Sequence, residues 1–288
     1  MRHLLLLLTF LLLLTVVSIV NARVDAELMQ MARQGNVDAQ FNLGQKYESG
    51  VDVPKDDKAA VKWYRLAAEQ GQAKAQFNLG GMYDKGKGVP EDNKEAVKWY
   101  RMAAEQGYPA AQNNLGAMYA NGEGVLKDDK AAVKWYRRAA DQGLAPAQLN
   151  LGVMYDHGEG VPEYDKEAVN WYRKAADQGL APAQFSLAWM YAHGEGVPKD
   201  GSAAVNWYWL AAEQGSAIAQ SNLGVMYAFG DGVPKDYVRA YMWANIARAN
   251  GHKVSKFKEF LTQKMTQSEM NEAQELSRQY IIDHPEVY

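Results

Sequence analysis

One block of sequence returns every thirty-six residues: Ala39-Gln40-Phe41-Asn42-Leu43-Gly44 recurs as Ala75-Gln76-Phe77-Asn78-Leu79-Gly80, then from Ala111, Ala147, Ala183 and Ala219. A fixed period of this size limits the chain to repeat architectures, in which each unit is one supersecondary element too small to bury its own apolar face. Six copies tile the chain without a gap, at 37–72, 73–108, 109–144, 145–180, 181–216 and 217–252.

Within a copy the pattern predicts two antiparallel helices. Ala39, Leu43 and Tyr47 fall at i, i+4 and i+8 on one face of the first, and Gly44 leaves room for a neighbouring helix. Glycine and proline close that helix, as in Gly86-Lys87-Gly88-Val89-Pro90, and Asp92 is placed to cap the next one. In the second helix Ala96, Trp99, Tyr100, Ala103 and Ala104 form one apolar stripe, and Gly107 ends it. The tryptophans Trp63, Trp99, Trp135, Trp171, Trp207 and Trp243 keep one place in this stripe, which predicts core packing between copies rather than a ligand platform. The copies must then stack into an all-α, α/α superhelical solenoid. Residues 23–36 match only a second helix, with Gly35 thirty-six before Gly71, and are expected to cap one end. Residues 253–288 drop the glycine loop, keep two helical stretches and carry a Thr266-Gln267-Ser268-Glu269 capping box, which suits the other end.

The first twenty-two residues stand outside this pattern. Arg2 and His3 precede an apolar run from Leu4 to Val20, and Val20-Asn21-Ala22 supplies small residues for a cut after Ala22. This predicts a secretory signal peptide and a periplasmic or secreted protein with no membrane span after cleavage. An uncleaved anchor is the alternative, since seventeen mostly apolar residues are near the shortest span. The chain has no cysteine, which removes disulfides, thiol nucleophiles and Cys-ligated zinc. With 31 basic and 34 acidic residues and no basic block, nucleic acid is not an expected partner.

The pattern A-x-x-L-G-x-x-Y-x-x-G-x-G-V followed by D-x-x-x-A-x-x-W-Y-x-x-A-A-x-x-G resembles the Sel1-like repeat (SLR) family, relatives of the tetratricopeptide repeats. The resemblance spans nearly the whole chain after the leader. It implies a right-handed superhelix of helix-turn-helix units that acts as an adaptor, regulator or host-facing scaffold and binds a protein or peptide. It does not name a partner.

Some bacterial members of the family have carried a β-lactamase or penicillin-binding label, so a cell-wall-associated enzyme, β-lactamase-like or a peptidoglycan hydrolase, is the competing expectation. Ser255-Lys256-Phe257-Lys258 fits S-x-x-K and Tyr119-Ala120-Asn121 fits Y-x-N, but no K-T-G or K-S-G triplet completes the set. Tyr119 is the repeat tyrosine and is accounted for by packing, so no catalytic residue is assigned. His157 and His193 occupy the same place in copies four and five. Two histidines one repeat apart reach one metal only with favourable rotamers, and the neighbouring loops lack the order of a calcium loop. No metal and no cofactor is expected.

By analogy with tetratricopeptide repeats, the first helices line a concave groove. The side chains expected there are Phe41, Gln45, Glu48 and Ser49 in copy one, and their equivalents at steps of thirty-six. That surface runs from polar to apolar along the chain, and the residues assigned to partner binding are Phe77, Asn113, Leu149, Val153, His157, Phe185, Trp189, His193, Val225 and Phe229. Trp189 departs most from its column, which otherwise holds Gln45, Gly81, Ala117, Val153 and Val225; it is either a binding hot spot or a filler beside Ala188, which replaces the repeat glycine. Trp209 breaks a column of arginines at 65, 101, 137 and 173 and is expected to be exposed. Asn42, Asn78, Asn114, Asn150 and Asn222 form a ladder, interrupted by Ser186, that either bonds a bound peptide or ties adjacent copies together.

Overall fold

A computed structural model describes residues 26–285. The leader expected over 1–22 lies outside the described residues. The described residues are all-helical, with no strand among them. A helix over 26–33, α1, precedes six helix pairs. These are α2 (Val37–Ser49) with α3 (Asp57–Glu69), α4 (Ala73–Asp84) with α5 (Asn93–Glu105), α6 (Pro109–Asn121) with α7 (Asp129–Asp141), α8 (Ala145–His157) with α9 (Asp165–Asp177), α10 (Ala181–His193) with α11 (Gly201–Glu213), and α12 (Ala217–Phe229) with α13 (Tyr237–Ala249). Two tail helices follow, α14 (Ser255–Thr262) and α15 (Gln267–Asp283), both packed on α13. The chain divides into two compact units after Arg138.

Helix boundaries follow the local chemistry. The Asp92 carboxylate accepts from the Lys94 and Glu95 backbone N–H groups, and Asp56, Asp128, Asp200 and Asp236 cap their helices in the same way. Copy four has Tyr164 at this place and makes no side-chain cap. Gly50, Gly122, Gly158, Gly194 and Gly230 end the first helices in the left-handed conformation. The second loop glycine at Gly88, Gly124 and Gly196 has a different task from the termination expected of it. A Cβ on Gly88 would sit 2.8 Å from the Lys58 backbone nitrogen and closer still to the Asp57 carbonyl oxygen, so this glycine lets the loop of copy two rest on the start of the second helix of copy one. Gly124 against Asn93 and Gly196 against Asp165 repeat the contact.

The repeat glycine of the first helix makes room for an aromatic ring. A Cβ on Gly152 would lie 2.6 Å from the Tyr172 ring, and Gly80 and Gly116 face Tyr100 and Tyr136 likewise. The ring hydroxyls then meet polar groups. Tyr64 donates to Glu48 (2.6 Å) and Tyr172 to Asp156 (3.0 Å). On their other side stand Asn78, beside Tyr64, and Ser186, beside Tyr172, with Asn114 and Asn222 beside Tyr100 and Tyr208. Asn78, Asn114 and Asn222, with Ser186 in copy five, therefore join their copies to the tyrosine of the copy before. Burial raises the pKa of all five tyrosines, with Tyr136 and Tyr208 pushed up to about 12.

A second polar ladder lies deeper. Gln76 is buried; its amide donates to the Ala68 carbonyl at the end of α3 (3.0 Å), and its oxygen accepts from Gln106 of its own copy (2.7 Å). Gln148 and Gln184 bond in the same manner. Each such glutamine satisfies an orphan carbonyl at a helix end and one of its own acceptors inside the core. Around them the apolar side chains pack as expected: Trp99 lies against Ala60, Val61, Ala75 and Leu79, and Trp243 against Val205, Tyr208 and Leu223. Trp207 is the one repeat tryptophan that is only half-buried.

Copy six departs from the rule. Ala244 occupies the place that Tyr64, Tyr100, Tyr136, Tyr172 and Tyr208 fill in the others. The vacated space is taken from the tail: Phe257 of α14 comes within 3.2 Å of where a Cβ on Gly224 would be. The tail is thus fitted to one particular copy. The Thr266 capping box expected from the sequence starts α15.

Candidate binding groove

The first helices of copies four to six share a face that the repeat leaves uncharged. Leu149 and Val153 on α8, Pro182, Phe185 and Ser186 on α10, and Ile218 at the start of α12 line an open groove of about 570 Å³, floored by the Gln214-Gly215-Ser216 turn. Phe185 is held by an aromatic contact with Tyr208 at 5.8 Å. The rim supplies amide and hydroxyl groups, but no charged residue is among the lining. Such a wall favours an apolar side chain, with polar rim groups left to meet a backbone.

Three of the ten expected binding residues, Leu149, Val153 and Phe185, line this groove. Four others form a strip outside it. Trp189 is 42 % exposed and stacks on His193 at 3.7 Å, while the His193 Nδ1 meets the Trp189 carbonyl at 2.9 Å. Trp189 is therefore no core filler: Ala188 beside it is fully buried and the indole points outward. Val225 is exposed, and Phe229 is 62 % exposed with one face on Phe260 of α14. His157 is exposed, with Nδ1 at 3.0 Å from the Val153 carbonyl.

Phe77 and Asn113 belong to the other unit. Phe77 is half-buried between Tyr100 and Tyr108, and Asn113 sits beside Asn114. One cleft in that unit, of about 850 Å³, has Asn42, Gln45, Lys46, Glu48 and Ser49 in its wall beside Leu28, Val51 and Tyr64. The side chains of the first helices become more apolar in the later copies, and the groove there includes Pro182 and Ile218, which are not among the residues expected to bind a partner. Pro182 and Ile218 belong to a column that begins Asp38, Lys74, Ala110 and Pro146, so the same change was readable one turn earlier in each helix.

Tyr119 and Lys258, from the Y-x-N and S-x-x-K matches, both have structural partners. Tyr119 accepts a hydrogen bond from Arg101 (2.7 Å), a contact that Arg65–Tyr83 and Arg173–Tyr191 repeat. Lys258 donates to Asn245 (2.7 Å) and rests on the Tyr241 ring, while Ser255 is exposed at the first turn of α14. Trp209, which replaces the arginine of that cross-copy contact, is 45 % exposed. Among the described residues no three His, Cys, Asp or Glu side chains cluster as metal ligands, and no helix is long and apolar enough to cross a membrane.

Helix pairs of nearly constant length, with tyrosine, glutamine and loop-glycine contacts that recur between successive pairs within each unit, define an α/α solenoid repeat protein. The chain belongs to the Sel1 repeat family, whose model matches residues 37–72, 73–108, 109–144, 145–180, 181–216 and 217–252. A Sel1 repeat protein from Oxalobacter formigenes is similar at 38% identity, covering 79% of this chain and 96% of that one, with a TM-score of 0.68. A protective antigen of uropathogenic Escherichia coli with an SLR fold, c5321, is 27% identical over 90% of this chain and 87% of its own, with a TM-score of 0.48. No match is found among curated proteins. Sel1 repeat proteins generally serve as non-enzymatic scaffolds for protein–protein interaction.

Proposed function

We propose that this chain is an exported interaction scaffold that holds an extended, uncharged segment of a partner protein in the groove of α8, α10 and α12. The carrying observation is the groove itself: Leu149, Val153, Phe185 and Ile218 present apolar surface, and no charged residue is among the lining. An apolar concavity of this size rimmed by amides suits a side chain inserted from an extended backbone. The Trp189, Val225 and Phe229 strip extends the apolar surface available to the same partner. Export rests on the leader over 1–22, and a retained leader would instead tether the same scaffold to the membrane.

Photo-crosslinking in the native cell envelope tests the reading. A photoreactive phenylalanine at Ile218 is expected to trap a discrete partner that the same group at Lys62, on the second helix of copy one, does not. Adding Phe185→Ala should weaken that adduct. Equal adducts from both positions, or none from Ile218, would refute the groove. The intact mass of the exported protein reads the leader directly, with Arg23 expected as its first residue.

A further inference from the structure

The tail holds a cleft of opposite character. Between α13, α14 and α15 an open space of about 700 Å³ has a polar wall of Asn245, Arg248, Lys258, Gln274, Ser277 and Arg278. Three cations thus converge in a chain of net charge −3, and no carboxylate is among the lining residues.

The arrangement is built rather than incidental. Asn245 donates to the hydroxyl of the buried Ser277 (3.2 Å), which donates in turn to the Ala273 carbonyl (2.9 Å). The Asn245 oxygen accepts from Lys258 (2.7 Å), whose ammonium also lies over the Tyr241 ring at 4.6 Å. A neutral amide therefore fixes this lysine in place without cancelling its charge. The Arg278 guanidinium pairs with Glu275 at 2.8 Å, but both side chains are more than 60% exposed, and such pairs exchange readily for a better ligand. Arg248 has no ion-pair partner among the described residues.

Like charges gathered in one cleft repel unless an anion joins them. A carboxylate would match one of the three. A phosphate monoester carries nearly two charges at pH 7 and three acceptor oxygens, and guanidinium forks fit it well. We propose that this cleft binds a phosphate monoester, with Arg248, Lys258 and Arg278 around the phosphoryl oxygens and Ile281 and Ala249 against the organic part. This site is independent of the apolar groove.

The test uses the mature full chain and two probes: glycerol phosphate in solution, followed by calorimetry, and phosphatidylcholine vesicles doped with phosphatidic acid, followed by co-sedimentation. Binding in the first arm assigns a soluble ester, and binding in the second alone assigns a lipid headgroup. In either, Arg248→Gln and Arg278→Gln should each weaken binding about tenfold to a hundredfold. Glu275→Gln, which frees Arg278, should tighten it about twofold to fivefold. Lys264→Gln removes the same charge outside the cleft and should leave affinity unchanged. The exposed arginines leave the fold intact, checked by circular dichroism. Absence of binding in both arms at millimolar ester, or an equal loss with Lys264→Gln, would overturn the assignment.

Discussion

The second loop glycine makes a sharp, quantitative demand. Gly88 has φ +69 and would bring a Cβ to 2.8 Å from the Lys58 nitrogen. Carbon contacts are comfortable from about 3.5 Å, so Gly88→Ala drives the loop back by about 0.7 Å or more. A left-handed alanine costs about 1 kcal/mol. The retreat also lifts Val89 from the cluster it joins with Ala60 and Val61, and loses a further ~1–2 kcal/mol of burial. The expected total is about 2–3 kcal/mol.

The chain contains its own control. Asp52 stands thirty-six residues before Gly88, is the sole non-glycine with positive φ among the described residues (φ 63), and pairs with Lys46. Its register partners are Asn21 and Ala22, which the proposed leader cut removes. Asp52→Ala already carries the backbone cost and loses only an exposed pair, about 1 kcal/mol at most. Urea unfolding followed at 222 nm, with hydrogen exchange at the first turn of α3 to localise the damage, compares the two. Gly88→Ala should be the costlier by at least ~1 kcal/mol. Equal costs would mean that the loop does not bear on the preceding copy, and the stacking argument would fail with it.

Two further outcomes follow from the tyrosines. Because the folded state raises the pKa of Tyr136 and Tyr208 from an unfolded value near 10 to about 12, their contribution is fully present below pH ~10 and is lost as pH climbs through about 12, and burial raises Tyr64, Tyr100 and Tyr172 in the same direction. Phenolate absorbance should show a late class of tyrosines that ionise together with loss of helix; ionisation of every tyrosine near pH 10 with helicity intact would contradict this. Tyr164→Asp should supply the missing cap of α9 and raise stability by about 1 kcal/mol, read as a higher urea midpoint; an unchanged midpoint would show that the cap contributes nothing there.

The helix pairs, their capping aspartates and the buried tryptophan stripe were legible because each rests on local pattern: a spacing, a glycine, a short polar side chain before an apolar run. What escaped was whatever required a neighbour. Gln40 and its equivalents read as part of a signature, yet their amides close the helix of the preceding copy, eight residues back. The loop glycines read as helix stops because their φ is positive, and their contact with the previous copy has no local trace. Trp189 illustrates the limit at the site. Its oddness in the column was visible, but its stacking on His193, one turn away, depends on rotamers that sequence does not specify. Ile218 had no signal in the columns of Phe41, Gln45, Glu48 and Ser49, because it stands in the first turn of its helix, ahead of all four.

The replacement of a tyrosine by Ala244, and of its ring by Phe257, bears on how such an array changes length. Where joints share the same tyrosine and glutamine contacts, whole units of thirty-six residues can be gained or lost and each new joint finds its partners already in place. The last joint refuses this exchange. A duplicated copy six would set an alanine against a neighbour with no phenylalanine to offer, leaving a cavity where a ring belongs. The tail therefore works as an address label as well as a lid: growth is open upstream of copy six and closed after it.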